Sequence, residues 1–115
     1  MTDLNILGKQ AKETAYQLSL MDTKVKNELL LHMADELEKN TDIILTENQK
    51  DLLQAKDNGI TDTMLDRLRL TSDRIKEMAE GIRQVGTLPD PIGEVEKMWK
   101  NEDGLMIGKQ RVPLG

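Results

Sequence analysis

The sequence contains no cysteine and no phenylalanine, and its 115 residues include only one tryptophan, one tyrosine and three prolines. Without cysteine, this chain can form no disulfide, no thiolate metal site and no cysteine nucleophile. The shortage of aromatic side chains matters as well, because large rings usually supply much of a small core's buried area. We therefore predict a core of Leu, Ile and Met that is thin for a self-sufficient domain.

Basic charge is also in deficit, since 16 Lys and Arg face 21 Asp and Glu, giving a net charge of -5 at pH 7. Nucleic-acid binding requires a basic face that neutralises phosphates, so this balance argues against nucleic acid, and likewise against anionic membranes. Apolar runs of three residues, such as 29–31, are too short to cross a bilayer. Residues 1–4 lack the features of a secretory signal. We expect a cytoplasmic chain with one domain.

Residues 1–87 contain no proline and read as a helical segment. Apolar residues recur there every three to four positions, which is the period of a helix with one apolar face. Polar residues placed just before the periodic runs predict the N-terminal caps Asp22, Thr41, Thr61 and Thr71. The pair Asn58–Gly59 predicts a C-terminal cap.

The pattern changes in a proline-rich connector over residues 88–93, because Pro89 and Pro91 cannot continue a helix. Residues then alternate with a period of two on either side of Asn101–Gly104, which predicts a β-hairpin within 94–115. The chain is thus expected to be mostly α with a C-terminal β-hairpin. A lone two-stranded ribbon is marginal in water, so we expect this chain to be a piece of a longer protein.

Few residues suggest chemistry. His32, the sole histidine, flanks an apolar helical stripe without a hydroxyl or thiol partner, and we interpret it as a boundary residue rather than a general base. Carboxylate pairs such as Asp35 and Glu38 are interpreted as solvated helix surface, because a metal site would need further ligands beside them. We predict no catalytic, cofactor-binding or metal-binding residue in this chain. Trp99 is open to two interpretations, an interface anchor or a core residue of the hairpin.

Several stretches, taken in order, carry a resemblance to one known family: residues 26–38 (KNELLLHMADELE), 48–52 (NQKDL), 58–59 (NG), 64–71 (MLDRLRLT), 81–85 (GIRQV), 88–95 (LPDPIGEV) and 111–115 (RVPLG). They resemble the N-terminal part of γ-glutamyl phosphate reductase, also called glutamate-5-semialdehyde dehydrogenase, in the aldehyde dehydrogenase superfamily. The resemblance covers nearly the whole chain.

The resemblance implies an NADPH-dependent reduction of L-glutamate 5-phosphate to L-glutamate 5-semialdehyde in proline biosynthesis. That chemistry uses a cysteine thiolate and a dinucleotide-binding fold. In the family both lie beyond the stretch that this chain matches, and no family catalytic residue maps onto positions 1–115. The resemblance therefore implies an NADPH-binding parent enzyme, with this part of it structural, inactive and without bound cofactor.

The resemblance also implies partners. The helices resemble those that pack on the nucleotide-binding domain, and residues 112–115 resemble the entry into its first strand. The hairpin resembles an oligomerisation arm, on which Trp99, Leu105 and Ile107 are candidate interface residues of a homo-oligomer. The alternative, from another class, is a stand-alone acidic helical module that binds a protein partner through its hairpin.

Overall fold

The computed structural model describes residues 3–114. Its elements are α1 (Leu4–Ser19), α2 (Thr23–Lys39), α3 (Thr41–Asp57), α4 (Asp62–Leu68), α5 (Ser72–Thr87), β1 (Val95–Lys100) and β2 (Met106–Gln110). The prediction of a mostly helical chain with a C-terminal hairpin is confirmed. Met1, Thr2 and Gly115, the outermost residues of the predicted helical and hairpin segments, lie outside the described residues.

Three of the predicted N-terminal caps are confirmed. The side-chain oxygens of Asp22, Thr61 and Thr71 each accept a hydrogen bond from the backbone N–H three residues further on, at 2.9, 3.4 and 3.1 Å. Each bond satisfies one of the N–H groups that a helix leaves free at its start. The predicted C-terminal cap is confirmed too, since Asn58 ends α3 and Gly59 follows with a φ of 82°.

The prediction that Thr41 caps α3 is wrong. Asn40 is the single residue between α2 and α3, and Thr41 is already the first residue of α3. Its hydroxyl instead donates to the carbonyl of Glu38 at 2.7 Å. The reason is the tightness of this corner, because the last turn of α2 leaves free carbonyl oxygens within reach of the Thr41 hydroxyl.

The chain forms two compact units, one made of residues 27–87 and the other of the described parts of 1–26 and 88–115. The first unit contains a small aliphatic core to which each of its four helices contributes: Ala34, Leu52, Leu65, Ile75 and Ala79 are buried. Helix α3 packs against α4 and α5. The predicted division of roles between residues 1–87, 88–93 and 94–115 concerns a longer protein and stays a prediction.

One buried polar side chain, Asn48 on α3, organises the loop between α4 and α5. Its Nδ2 donates to the carbonyl of Leu68 at 3.0 Å, and its Oδ1 accepts from the N–H of Leu70 at 2.8 Å. The side chain is 6% exposed. Asn48 therefore pairs two backbone groups at the junction of α4 and α5, where an unpaired and partly buried group would cost free energy.

An ion cluster links α2 to α5 in the same unit. The guanidinium of Arg83 contacts Glu38 Oε1 at 2.6 Å and Asp35 Oδ1 at 2.9 Å. The hydrogen bond from Arg83 is the main cause that lowers the pKa of Glu38, and the bonds to Glu38 and then Asp35 raise the pKa of Arg83. Asp35 and Glu38, which we interpreted from the sequence as solvated helix surface, therefore form ion pairs with Arg83 that the sequence did not indicate.

The other unit contains the hairpin. Strands β1 and β2 pair antiparallel, with Trp99 opposite Ile107 and an irregularity between Val95 and Lys97. At the turn, Asn101 Oδ1 accepts from the N–H groups of Asp103 and Leu105 at 3.0 and 2.9 Å. None of the described residues of this unit is buried. This part of the chain therefore exposes nearly all of its apolar side chains.

Candidate functional site

The three residues predicted as an interface lie together on one face of the hairpin. Trp99 and Ile107 are directly opposite each other across the two strands. Leu105 precedes Ile107 by two residues and therefore lies on the same side of an extended chain. Trp99 is 36% exposed and Leu105 is 63% exposed, whereas Ile107 is intermediate. We call this set of three residues the Trp99 face.

Two lysines flank the Trp99 face. Lys97 and Lys109 are cross-strand partners on the same side of the hairpin, so two like charges stand opposite each other. The Lys97 ammonium lies 5.8 Å from the centroid of the Trp99 ring, within the range of a cation–π interaction. The face is thus an apolar strip with a positively charged end.

The opposite face of the hairpin, which was not among the predicted interface residues, carries Met98 and Met106, 56% and 59% exposed. The alternation with a period of two was the signal that could have found them, since it separates these two residues from Trp99. Gly108 is the cross-strand partner of Met98, and a β-carbon at that position would collide with the Met98 sulfur. The absent side chain leaves the space that the Met98 thioether occupies.

The base of the hairpin is tied to the start of α2 through Asp90 in the connector. Its carboxylate accepts from the Thr23 hydroxyl at 2.8 Å, pairs with the Lys26 ammonium and accepts from the Ile92 N–H at 3.0 Å. The Asp90 side chain is only 14% exposed. The bond to Lys26, followed by those to Ile92 and Thr23, lowers the pKa of Asp90 to about 2. We call this arrangement the Asp90 clasp.

The first hydrogen bonds between the two sides of the hairpin lie only three to four residues after Asp90. The N–H of Gly93 donates to the carbonyl of Arg111, and the N–H of Arg111 donates to the carbonyl of Glu94, both at 2.9 Å. The Gln110 amide adds a bond to the Gly93 carbonyl at 3.1 Å. Gly93 has a φ of 85°, a conformation that glycine adopts without steric cost.

Within residues 3–114, the structure shows no group of three or more His, Asp or Glu side chains that could hold a metal ion. His32 is exposed on α2. No helix of the described residues is both long enough and apolar enough to span a membrane. The described residues do expose apolar surface, at the Trp99 face and along α1.

Two solved structures that share this fold belong to one class of enzyme, the reductases. The γ-glutamyl phosphate reductase of Thermotoga maritima matches with a TM-score of 0.91 at 35% identity, over 97% of this chain and 27% of that chain. The Saccharomyces cerevisiae enzyme matches with a TM-score of 0.81 at 30% identity, over 94% of this chain and 28% of that chain. The helices and hairpin therefore match the N-terminal part of a larger reductase structure.

Curated sequences agree with this match. The chain is 64% identical to the γ-glutamyl phosphate reductase of Enterococcus faecalis and 53% identical to that of Listeria monocytogenes, in each case over 100% of this chain. It spans 28% of the length of these relatives. No family model matches the sequence. Over its whole length the chain is therefore similar to the N-terminal part of γ-glutamyl phosphate reductases.

Proposed function

We propose that this chain is the N-terminal part of a cytoplasmic enzyme of the aldehyde dehydrogenase superfamily. The whole enzyme reduces L-glutamate 5-phosphate to L-glutamate 5-semialdehyde with NADPH, releasing phosphate, in proline biosynthesis. The observation that carries the proposal is the 64% identity to a γ-glutamyl phosphate reductase along all 115 residues. Identity at that level over the whole chain supports a common role for the matched segment.

Residues 1–115 are structural in this proposal, and catalytically inactive by themselves. The sequence has no cysteine to form a thioester with the substrate. The lining of the hydride-transfer site would come from the rest of the enzyme, since a nicotinamide cofactor is held by a dinucleotide-binding fold. This chain supplies a docking surface to that fold and to a neighbouring subunit.

The exposed apolar side chains support such a docking role. On α1, Leu4 is 80% exposed and Ile6 is 57% exposed, and on α3, Leu53 is 65% exposed. Large aliphatic side chains in such number on helices mark surface that another part of a protein covers. The remainder of the parent enzyme is the proposed partner of the helices, and a second copy of the enzyme is the proposed partner of the Trp99 face.

A chimeric enzyme tests the proposed activity. In the Enterococcus faecalis reductase, this chain would replace the matching N-terminal part, and NADPH oxidation by γ-glutamyl phosphate would be measured. We expect the chimera to retain activity within about tenfold, because the replaced segment contributes no catalytic group, and we expect no activity from the 115-residue chain alone. A folded chimera without activity, or an active isolated chain, would contradict the proposal.

A second experiment tests the role of the Trp99 face. In the chimera, Trp99→Ala should weaken subunit association by roughly 30-fold or more, since a buried interface tryptophan typically contributes about 2 kcal/mol or more. Tyr16→Ala is the matched control, because Tyr16 is the other aromatic residue, is 67% exposed and lies on α1. Sedimentation velocity measures the subunit association of both variants. Equal subunit association of the two variants would contradict the prediction that Trp99 lies in the interface.

The alternative of a stand-alone interaction module makes a different prediction for the isolated chain. A module that is complete by itself should be monomeric and should melt cooperatively, whereas a docking segment with exposed apolar faces should self-associate. Sedimentation and calorimetry of the 115-residue chain distinguish the two.

A further inference from the structure

The Asp90 carboxylate joins two segments that are distant in sequence. Thr23 and Lys26 belong to the first turn of α2, whereas Asp90 lies 67 residues after Thr23, just ahead of the hairpin. Its third partner, the Ile92 N–H, belongs to the connector itself. One side chain with little exposure therefore bonds both to the connector and to the first turn of α2.

The connector between this junction and the ladder is short and conformationally restricted. Pro91 has a fixed φ, the N–H of Glu94 donates to the Pro91 carbonyl at 3.2 Å, and the N–H of Gly93 is already paired with Arg111. Few backbone rotations remain free between the Asp90 carboxylate and the first ladder bonds. The Asp90 carboxylate is therefore connected to the hairpin through a short segment with little conformational freedom.

We propose that Asp90 is a positioning residue, which fixes the base of the hairpin to the first turn of α2 and so sets the direction in which the Trp99 face meets a second copy of the protein. This inference rests on the proposed function, in which the hairpin contacts a neighbouring subunit. Asp90 itself need not touch that subunit. Its effect on assembly passes through the hairpin that it orients.

The test compares Asp90→Asn with Asp103→Asn. Asp103 lies in the turn of the same hairpin and is exposed, so it provides the same chemical change away from the clasp. In the 115-residue chain, amide hydrogen exchange by NMR should accelerate at least tenfold at Gly93 and Arg111 in Asp90→Asn. The exchange of Ile107, in the middle of the ladder, should stay within about twofold of the unsubstituted chain. Asp103→Asn should leave both regions unchanged.

In the chimeric reductase, Asp90→Asn should weaken subunit association at least tenfold relative to Asp103→Asn. The exchanged pair Lys26→Asp with Asp90→Lys should restore only part of that loss, because it rebuilds the ion pair with opposite polarity but leaves the Ile92 N–H and the Thr23 hydroxyl without their acceptor. A ladder that exchanges faster along its whole length would make Asp90 a residue of hairpin stability rather than of positioning, and would overturn the proposal. Unchanged association in Asp90→Asn would also overturn it.

These outcomes are separable from the proposed activity. If the chimera associates normally but does not reduce γ-glutamyl phosphate, the proposed function fails, while the effect of Asp90→Asn on association still tests the positioning role. If the chimera is active and Asp90→Asn associates like Asp103→Asn, the positioning role fails and the proposed function stands.

Discussion

Replacement of Asn48 by alanine isolates one buried polar side chain. Asn48→Ala removes the donor to the Leu68 carbonyl and the acceptor for the Leu70 N–H, which lie at 3.0 and 2.8 Å. Asn48 is 6% exposed and its two bonds are partly buried, so water should replace the lost partners incompletely. Both backbone groups would remain in place, because α4 and α5 hold the loop that contains them.

The expected cost follows from three contributions. A buried donor or acceptor left unpaired costs about 1 kcal/mol or more, so two of them cost roughly 2–3 kcal/mol. Alanine returns roughly 0.6 kcal/mol, because its helix propensity exceeds that of asparagine. The free energy of unfolding should therefore fall by about 2 kcal/mol in Asn48→Ala. With a urea dependence of roughly 1.5 kcal/mol per molar, the midpoint of unfolding should fall by about 1.3 M.

Urea unfolding of the 115-residue chain, followed by circular dichroism at a helical wavelength, measures this shift. The matched control is Gln54→Ala, on the exposed side of the same helix, where the change should stay within about 0.5 kcal/mol. Equal midpoints for Asn48→Ala and Gln54→Ala would refute the argument that Asn48 satisfies the loop between α4 and α5.

Three further predictions concern the backbone, the clasp and the hairpin. Gly59→Ala should lower the free energy of unfolding by about 1 kcal/mol, because φ is 82° at Gly59. Gly81→Ala should raise it by about 0.5–1 kcal/mol, because Gly81 lies inside α5 and an added β-carbon would meet no atom of another segment within 4 Å. Thermal melts in the reverse order would contradict this. An NMR titration should place the pKa of Asp90 near 2, below its value in the unfolded chain. The stability that Asp90 contributes should therefore be complete above about pH 4 and should disappear as the pH falls through 2. A titration midpoint near 4 would contradict the Asp90 clasp. Lys109→Glu should stabilise the hairpin by about 0.5 kcal/mol, because it places an opposite charge across from Lys97. If tryptophan fluorescence shows that the variant unfolds at a lower temperature than the unsubstituted chain, that pairing would be contradicted.

Local signals predicted most of the secondary structure. The caps Asp22, Thr61 and Thr71 were predicted because their side chains bond to backbone groups only three residues away. The hairpin was predicted because alternation and a turn with glycine act over a few residues. Thr41 was the exception, since the choice between capping α3 and bonding back to α2 depends on how the two helices meet.

The contacts that organise the fold were not predicted. Asn48 reaches a loop 20 residues further along, Arg83 joins Glu38 across 45 residues, and Asp90 reaches Thr23 across 67. Nothing in a polar side chain's immediate neighbours indicates which distant partner the folded chain brings to it. The exposure of the methionines opposite the Trp99 face was not predicted either, because exposure depends on which surfaces the rest of the fold covers.

The sequence by itself determined the helices, the hairpin, the family resemblance and the absence of a thiol nucleophile, because each depends on residue identity or on interactions between near neighbours. Only the tertiary structure decided which side chains are buried, which ions pair, and how the connector is tied to α2. Those features depend on distances between segments that are far apart in sequence, and such distances exist only once the chain has folded.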